Sequence, residues 1–278
     1  MPRLLFMTSA AAVALASVPA MAQSTAATFD GPYVSGAVGL QSVDNGAKGL
    51  EFDTNRDGTF GETVTTAQGV NAFGPGFCRG AAIGDRAAAG CTSDDDDQDY
   101  AVRVGFDKRF GAIVGGLLVE GSMSNAVDYE TGFSTTPASY TFAREVDKSI
   151  AARARLGLSP GDGRGLMYVT GGVAYADIDR AFTTTNTANS FALDDGGDDK
   201  VFGYQAGAGA ELMLGGGFSL GLEYLYSRFN DDDTFVAVGK GSAPATNPFL
   251  LNGGGTNLRP ADSHLDLHSF RVTAGFHF

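Results

Sequence analysis

Eight stretches of this chain alternate apolar and polar side chains with a period of two, the spacing of strands that show different faces to different surroundings. The clearest is Asp99 to Asp107, with Tyr100, Val102, Val104 and Phe106 on one parity and Ala101, Arg103, Gly105 and Asp107 on the other. Tyr33 to Gln41 sets Val34, Gly36, Val38 and Leu40 against Ser35, Ala37, Gly39 and Gln41. Ile113 to Ser124 sets Leu117, Val119 and Met123 against Glu120, Ser122 and Ser124, with Val114 and Leu118 breaking the rule. Ser149 to Leu158 places Ile150, Ala152, Ala154, Leu156 and Leu158 opposite Ala151, Arg153, Arg155 and Gly157. A fifth run, Leu166 to about Ile178, is strand-like, but Tyr168 and Tyr175 have opposite parity and leave its faces open. Beyond Lys200, Phe202, Tyr204, Ala206, Ala208, Ala210 and Leu212 oppose Gln205, Gly207, Gly209 and Glu211. Leu220, Leu222, Tyr224 and Tyr226 then oppose Gly221, Glu223 and Ser227. In the closing run, Ser269 to Phe278, Phe270, Val272, Ala274, Phe276 and Phe278 share a side against Ser269, Arg271, Thr273, Gly275 and His277.

The connections between these runs alternate long and short. Tight turns are predicted at Lys108 to Gly111, at Ser159-Pro160-Gly161-Asp162-Gly163 and at Gly215 to Gly217, where Pro presets φ and Gly supplies positive φ. The long connections are a first loop of about 42–98, read as too polar and Gly-rich to be core, then 125–147, a loop ending at Lys200, and 230–263. Between antiparallel neighbours this alternation gathers the long loops at one end and the tight turns, with both termini, at the other. Pro32, Pro75, Pro137, Pro160, Pro244, Pro248 and Pro260 all fall outside the runs, as sheet hydrogen bonding requires. An even strand number lets the first pair with the last. The predicted fold is all-β: an eight-stranded antiparallel up-and-down transmembrane β-barrel, its apolar parity turned to lipid and its charged parity to the lumen.

Residues 1–22 read as a secretory signal, with Arg3 in a short positive region, an apolar run from Leu4 to Val18 and the small-x-small site Ala20-Met21-Ala22. Residues 23–278 then form the barrel domain. The net charge is −13 at pH 7, one more negative once Arg3 leaves, and this excludes a nucleic-acid partner on electrostatic grounds. Past the leader, the longest apolar run, Ala112 to Val119, is far short of the ~20 residues of a spanning helix.

The aromatic ending, with Phe270, Phe276 and Phe278 on one parity, resembles the C-terminal strand signal of Gram-negative outer-membrane proteins, although Thr273 stands where that pattern often has glycine. More broadly, Gly31-Pro32-Tyr33-Val34, Ala152-Arg153-Ala154-Arg155-Leu156-Gly157, Tyr168-Val169-Thr170-Gly171-Gly172 and Leu222-Glu223-Tyr224 resemble, in order and spacing, the small eight-stranded outer-membrane barrels of the OmpA-transmembrane and opacity-protein kind, and an alphaproteobacterial porin-like group. The resemblance covers nearly all of Tyr33 to Phe278 apart from the first loop. It implies a monomer in the outer membrane whose partners are the surrounding lipids and the barrel-assembly machinery, which would read the terminal phenylalanines.

The candidate chemistry lies on the inward parity, which collects Arg103, Arg153, Arg155 and Arg271 with Asp107, Glu120, Glu211 and Glu223. An eight-stranded barrel is narrow enough for side chains to fill, and a lone charge inside would be costly, so these residues are expected to pair. The first loop contains Asp53, Asn55, Asp57, Gly58 and Thr59 at the spacing that opens a Ca²⁺ loop, but Val64 stands where the bidentate glutamate belongs and Glu62 comes two residues early. Asp94 to Asp97, Asp194-Asp195, Asp198-Asp199 and Asp231 to Asp233 are acidic loop runs. Cys78 and Cys91, the two cysteines, are expected to form a disulfide in an oxidising periplasm. The histidines, His264, His268 and His277, do not assemble a catalytic set by spacing, and no cofactor motif is present. The expected function is a structural or surface barrel with an ion-paired, largely closed lumen and no enzymatic activity. The alternatives are a small porin-like channel, a lipid-modifying enzyme and a soluble ligand-binding barrel.

Overall fold

The computed structural model describes residues 28–43, 49–194, 196, 197 and 199–278, so the signal reading of residues 1–22 lies outside the described residues. Fourteen strands follow in chain order: β1 Gly31–Val43, β2 Leu50–Asp53, β3 Gly76–Arg79, β4 Asp97–Phe110, β5 Ile113–Met123, β6 Val127–Ser134, β7 Ala138–Leu158, β8 Gly165–Thr184, β9 Ser190–Asp194, β10 Lys200–Gly215, β11 Phe218–Asn230, β12 Phe235–Gly239, β13 Thr256–Pro260 and β14 His264–His277. Eight of them, β1, β4, β5, β7, β8, β10, β11 and β14, pair in that order, and β14 pairs back onto β1, so the sheet closes. All pairings are antiparallel. The first and last strands register Tyr33 against His277, which places both strand ends beside the tight turns.

The pleat separates the two faces as the alternation requires. Val102, Val104, Phe106, Leu117, Val119, Met167, Val169, Val173, Phe202, Leu222, Phe270 and Val272 point outward and are about half to two-thirds exposed, forming an apolar belt. The fifth run is also resolved: Leu166, Tyr168, Thr170, Ala174, Ala176 and Ile178 of β8 face inward, and Tyr175 packs outside against Phe202. Val114 and Leu118, which broke the alternation of β5, are inward and buried.

The long connections depart most from the sequence reading. β7 has 21 residues and β8 has 20, against the ~9–11 that a tilted strand needs to cross a bilayer, so this hairpin projects well past the belt. The connection 125–147, read as a polar loop, is β6 paired with the projecting half of β7, and β3 from the first loop adds to β6. Both faces are covered there and both carry buried polar groups, Glu130 and Arg144 on one and Thr131 and Thr141 on the other, which erases the apolar period. A separate sheet in the order β2-β13-β12-β9 draws its strands from three loops. Between these sheets lies a core containing Phe52, Phe73, Tyr140, Phe142, Val236, Val238, Phe249 and Leu258. The first loop therefore does contribute core, contrary to expectation. Each loop supplies only a few apolar residues on strands of four or five, too short for a period to register.

Candidate functional site

The register of the barrel strands brings the inward charges together. Arg103 of β4 lies directly across from Glu120 of β5, and Glu223 of β11 directly across from Arg271 of β14, so each short-range pair is set by strand pairing alone. Around the lumen these pairs fuse. Glu120 binds Arg103, Arg153 and Arg271, the last at 2.7 Å, while Glu223 binds Arg103 and approaches Arg153 at 3.5 Å. Asp99 completes the group by pairing with Arg271, giving three guanidinium groups and three carboxylates, all buried. A second cluster nearer the tight turns joins Arg155 to Asp107 and to Glu211, the latter at 2.9 Å. Every one of the eight sequence-predicted lumen charges falls in one of these two groups. Asp99 was missed, although it shares the parity of Arg103.

Two glycines make the cross-strand reach possible. Gly116 of β5 registers against both Asp107 of β4 and Arg155 of β7, so it sits between the partners of an ion pair that spans its strand. A Cβ there would run into the Asp107 carboxylate and come within 3.2 Å of the Arg155 stem. Gly209 of β10 repeats the device between Tyr168 of β8 and Glu223 of β11, whose hydroxyl and carboxylate meet at 2.8 Å. In both cases the middle strand has to give up its side chain.

Apolar layers bracket the charged zone. Toward the tight turns, Phe29, Val114, Leu166, Tyr168 and Met213 pack together, with Phe29 fully buried. Toward the loops, Val43, Val146, Ala151, Ala174, Ile178, Phe229, Leu265 and Leu267 form another cluster across the interior. Between them, a void of about 10 Å³ bounded by Gln41, Asp99, Ser122, Gln205, Ser227 and Arg271 has room for about one water. Above the outer apolar layer lies a further ionic group, absent from the sequence reading: Arg144 pairs with Asp128 at 2.5 Å and approaches Asp231 at 3.8 Å, and Arg180 donates to Asp231 at 2.9 Å. Nearby, the buried Glu130 accepts the Gly49 N–H at 2.5 Å. Burial pushes this carboxyl up to about 7, against the opposing pull of Arg144 and the Gly49 N–H.

The remaining sequence candidates resolve as follows. Asp53 is buried, and its two oxygens accept the backbone N–H groups of Asp57 at 3.1 Å and Gly58 at 3.0 Å. Asn55 and Asp57 accept from the N–H groups of Asp57 and Thr59, and the Thr59 N–H holds the Asp57 carboxyl below its ordinary range. The acidic side chains proposed as the opening of a Ca²⁺ loop are thus turned onto their own backbone, and no group of three or more His, Cys, Asp or Glu side chains is placed to hold a metal among the described residues. Glu62, the misplaced acid, accepts from the Thr54 backbone N–H at 2.7 Å and from its hydroxyl at 2.6 Å. Cys78 and Cys91 are joined in a disulfide across the β3 side of the first loop.

His277 is inward, stacked on Tyr33, with the Ser219 hydroxyl 3.2 Å from Nε2. Glu211 approaches that same nitrogen at 3.9 Å, while Nδ1 is buried without a hydrogen-bond partner, so no acid orients the ring from its far side as a hydrolytic triad needs. Ser263 and Asp262 likewise both lie against Nδ1 of His264, at 3.4 and 3.5 Å. His268 faces outward and shares a 2.6 Å hydrogen bond with the Tyr224 hydroxyl. Phe270 and Phe278 project outward on β14 and beyond its end, and Phe276 packs between Phe218 and Phe278.

Comparison with known proteins fits this geometry. A family model described as an outer membrane protein beta-barrel domain matches residues 8–278. A search of curated proteins finds no match. Among solved structures, the outer membrane protein OprG from Pseudomonas aeruginosa aligns over 90% of this chain and 98% of its own, at 11% identity and a TM-score of 0.49. The outer membrane protease OmpT from Escherichia coli aligns over 92% of this chain and 99% of its own, at 9% identity and a TM-score of 0.38. Likenesses at that level carry nothing about activity. With the family matched across almost the whole chain and the strands closed around a filled interior, this chain belongs to the outer membrane protein β-barrel domain family and resides in the outer membrane.

Proposed function

We propose that this protein is a closed barrel with a structural and surface role: a stable insert in the outer membrane that holds a folded cap on the cell exterior and neither conducts appreciably nor catalyses. What carries the reading is the interior, where apolar layers lie on both sides of a neutral group of three arginines and three carboxylates. Interior width follows strand number, and eight strands leave space that side chains can fill. A conducting path needs a continuous wet lumen whose sites hold ions weakly enough to release them. Here guanidinium and carboxylate groups satisfy each other, and hydrocarbon closes both ends.

The shape of the long loops supports the surface half of the reading. They carry their own sheets, an aromatic core and a disulfide, which is more organisation than a connection between strands requires. The partners we infer are lipid around the apolar belt, the barrel-assembly machinery at Phe270, Phe276 and Phe278, and an external ligand at the cap; the chain is taken to act as a monomer. Single-channel recording of the purified protein in planar bilayers tests the reading. The expected trace is quiet or shows rare, small openings. Large, stable openings would replace it with the porin-like alternative.

A further inference from the structure

The cap is a sandwich closed on one side and open on the other. One of its sheets is β3 with β6 and the projecting parts of β7 and β8; the other runs β2-β13-β12-β9, with the aromatic core between them. On the closed side, β2 is flanked by an antiparallel bridge from Phe52 to Glu62, and the segment after β3 is tied back by its disulfide and by a bridge from Ala82 to Cys91. On the open side, neither outermost strand has a neighbour. β9 pairs with β12 alone, and β8 loses β10 beyond the Asp177–Lys200 register, so Asp179 to Thr184 pair only with β7. Among the described residues, no backbone group of Phe191, Ala192 or Leu193 has a hydrogen-bond partner outside β12. Unpaired edges are commonly blunted by lysine, proline or a bulge, and Ser190 to Asp194 contain none of these.

The mouth of the sandwich is apolar within and acidic around. Phe182 of β8 and Phe191 of β9 meet there with centroids 5.5 Å apart, both only half-buried. Leu193 has the core-facing parity, since it registers against the fully buried Val236, yet it is 37% exposed. The second layer stops short of covering it. Asp179, Asp194, Asp232 and Asp233 are exposed along the rim, Asp233 standing two residues before the Phe235–Asp194 register. The neighbouring cations are engaged, Arg180 with Asp231 and Asp199 and Lys200 with Asp177 at 3.9 Å. Lys240, which is exposed, lies beyond the opposite end of β9, past the Ser190–Gly239 register.

We propose that the free edge of β9 is a strand-addition site for an extended peptide in which basic residues alternate with apolar ones. The peptide backbone pairs with β9, and side chains of one parity enter the mouth against Phe182, Phe191 and Leu193. Those of the other parity lie on the face that carries Asp194, where positive charge meets the acidic rim. A second copy of this chain, with its net charge of −13, lacks that complement. The site rests on the surface role proposed above, and an inert edge would leave that role and the silence of the lumen standing.

The probe is a fluorescent octapeptide of alternating lysine and valine, added to the full-length barrel in a zwitterionic detergent and followed by anisotropy and hydrogen exchange. Two controls are run alongside: glutamate in place of lysine, and the lysine–valine sequence N-methylated at every amide, which keeps the charge but has no backbone donor. The lysine–valine peptide is expected to bind with a micromolar dissociation constant and to protect the amides of Ser190 to Asp194, and neither control should do so. Asp194→Asn combined with Asp233→Asn, both at exposed positions, should weaken binding about threefold to tenfold, with heat-modifiable gel migration reporting folding. Leu193→Cys should form a disulfide with a peptide carrying cysteine at a valine position, and this cross-link decides the matter should the Asp variant fail to fold. No saturable binding at hundreds of micromolar peptide, equal binding of either control, protection confined to other segments, or full affinity in the folded Asp variant would overturn the proposal. Cross-linking of two barrels through position 193 in preference to the peptide would likewise overturn it and give the edge to a second copy.

Discussion

Replacing Glu130 by glutamine isolates one term in the stability of the cap. The carboxyl is 5% exposed on β6, receives the Gly49 N–H, and faces Arg144, Asp128 and Asp262, with Arg79 across from it on β3. Burial raises its pKa from the ordinary 4.5 to about 7, with Arg144 and the Gly49 N–H pulling the other way. In the unfolded chain the proton leaves near the ordinary value; in the folded cap it stays until about pH 7. The folded state therefore binds more protons between those limits, and stability falls as pH rises through that window. The gap corresponds to about 3 kcal/mol at ~1.36 kcal/mol per pH unit, an order-of-magnitude figure. Glutamine keeps an oxygen for Gly49 and cannot ionise, so the variant should match the parent near pH 4 and exceed it by up to about 3 kcal/mol at pH 8. Hydrogen exchange of peptides covering Gly49 to Asp53 and Val127 to Ser134, corrected for intrinsic rates, reads this directly. Burial also raises Asp94 and Glu145, whose slopes have the same sign and persist in the variant, so the difference between the two proteins is the quantity of interest. An unchanged pH slope in the variant, or a parent cap that gains protection between pH 5 and 7, would refute the reasoning.

Other outcomes follow from the lumen and the loops. Glu120→Gln leaves Arg103, Arg153 and Arg271 short of their shared acid and should lower barrel stability by about 3–5 kcal/mol, seen as a lower temperature for the gel-mobility shift. Gly116→Ala, a methyl group on paper, should destabilise more than a surface substitution because it forces Asp107 and Arg155 apart, whereas Gly115→Ala, with open space beside it, should be near neutral in the same assay. Replacing Cys78 and Cys91 by serine should speed tryptic cutting at Arg79 and Arg86, consistent with the ~3 kcal/mol of ordering ascribed to closure of a loop of this length. Environment-sensitive labels at Val104 and Leu222, which are 61% and 66% exposed on the outer face, should report hydrocarbon in vesicles; a watery signal there would invert the barrel's assigned faces.

The barrel was legible because each of its strands borders two distinct media, and a two-residue period survives wherever one face meets lipid and the other a polar interior. Arg103, Arg153, Glu223 and Arg271 could be placed inward from parity alone. Their partners could not be assigned, since pairing depends on register: nothing local says that Gly116 lies between Asp107 and Arg155, or Gly209 between Tyr168 and Glu223. Asp99 was recoverable from parity and lay at the edge of its run. The cap was not legible. Its core residues, such as Phe52, Phe73, Val236 and Leu258, are far apart in sequence and meet only when four loops fold together. In the Asp53 loop, where the local pattern has the spacing of cation ligands, the Asp53 oxygens accept backbone N–H groups of the same loop, a pairing that spacing alone does not reveal.

The central claim, that side chains close this barrel along its length, is tested most directly by cysteine accessibility at Ala151. That residue is 3% exposed, points inward on β7 and sits in the apolar layer above Arg153. A single Ala151→Cys substitution adds one sulfur to a chain whose native cysteines are already bonded to each other. With an exposed loop position, Ala245→Cys, as the positive control, a membrane-impermeant thiosulfonate should label the loop quickly and leave position 151 unmodified in the folded barrel until it is denatured. Labelling at position 151 at the rate of the loop control would mean that water and solutes reach the middle of the lumen, and the closed barrel would have to be given up.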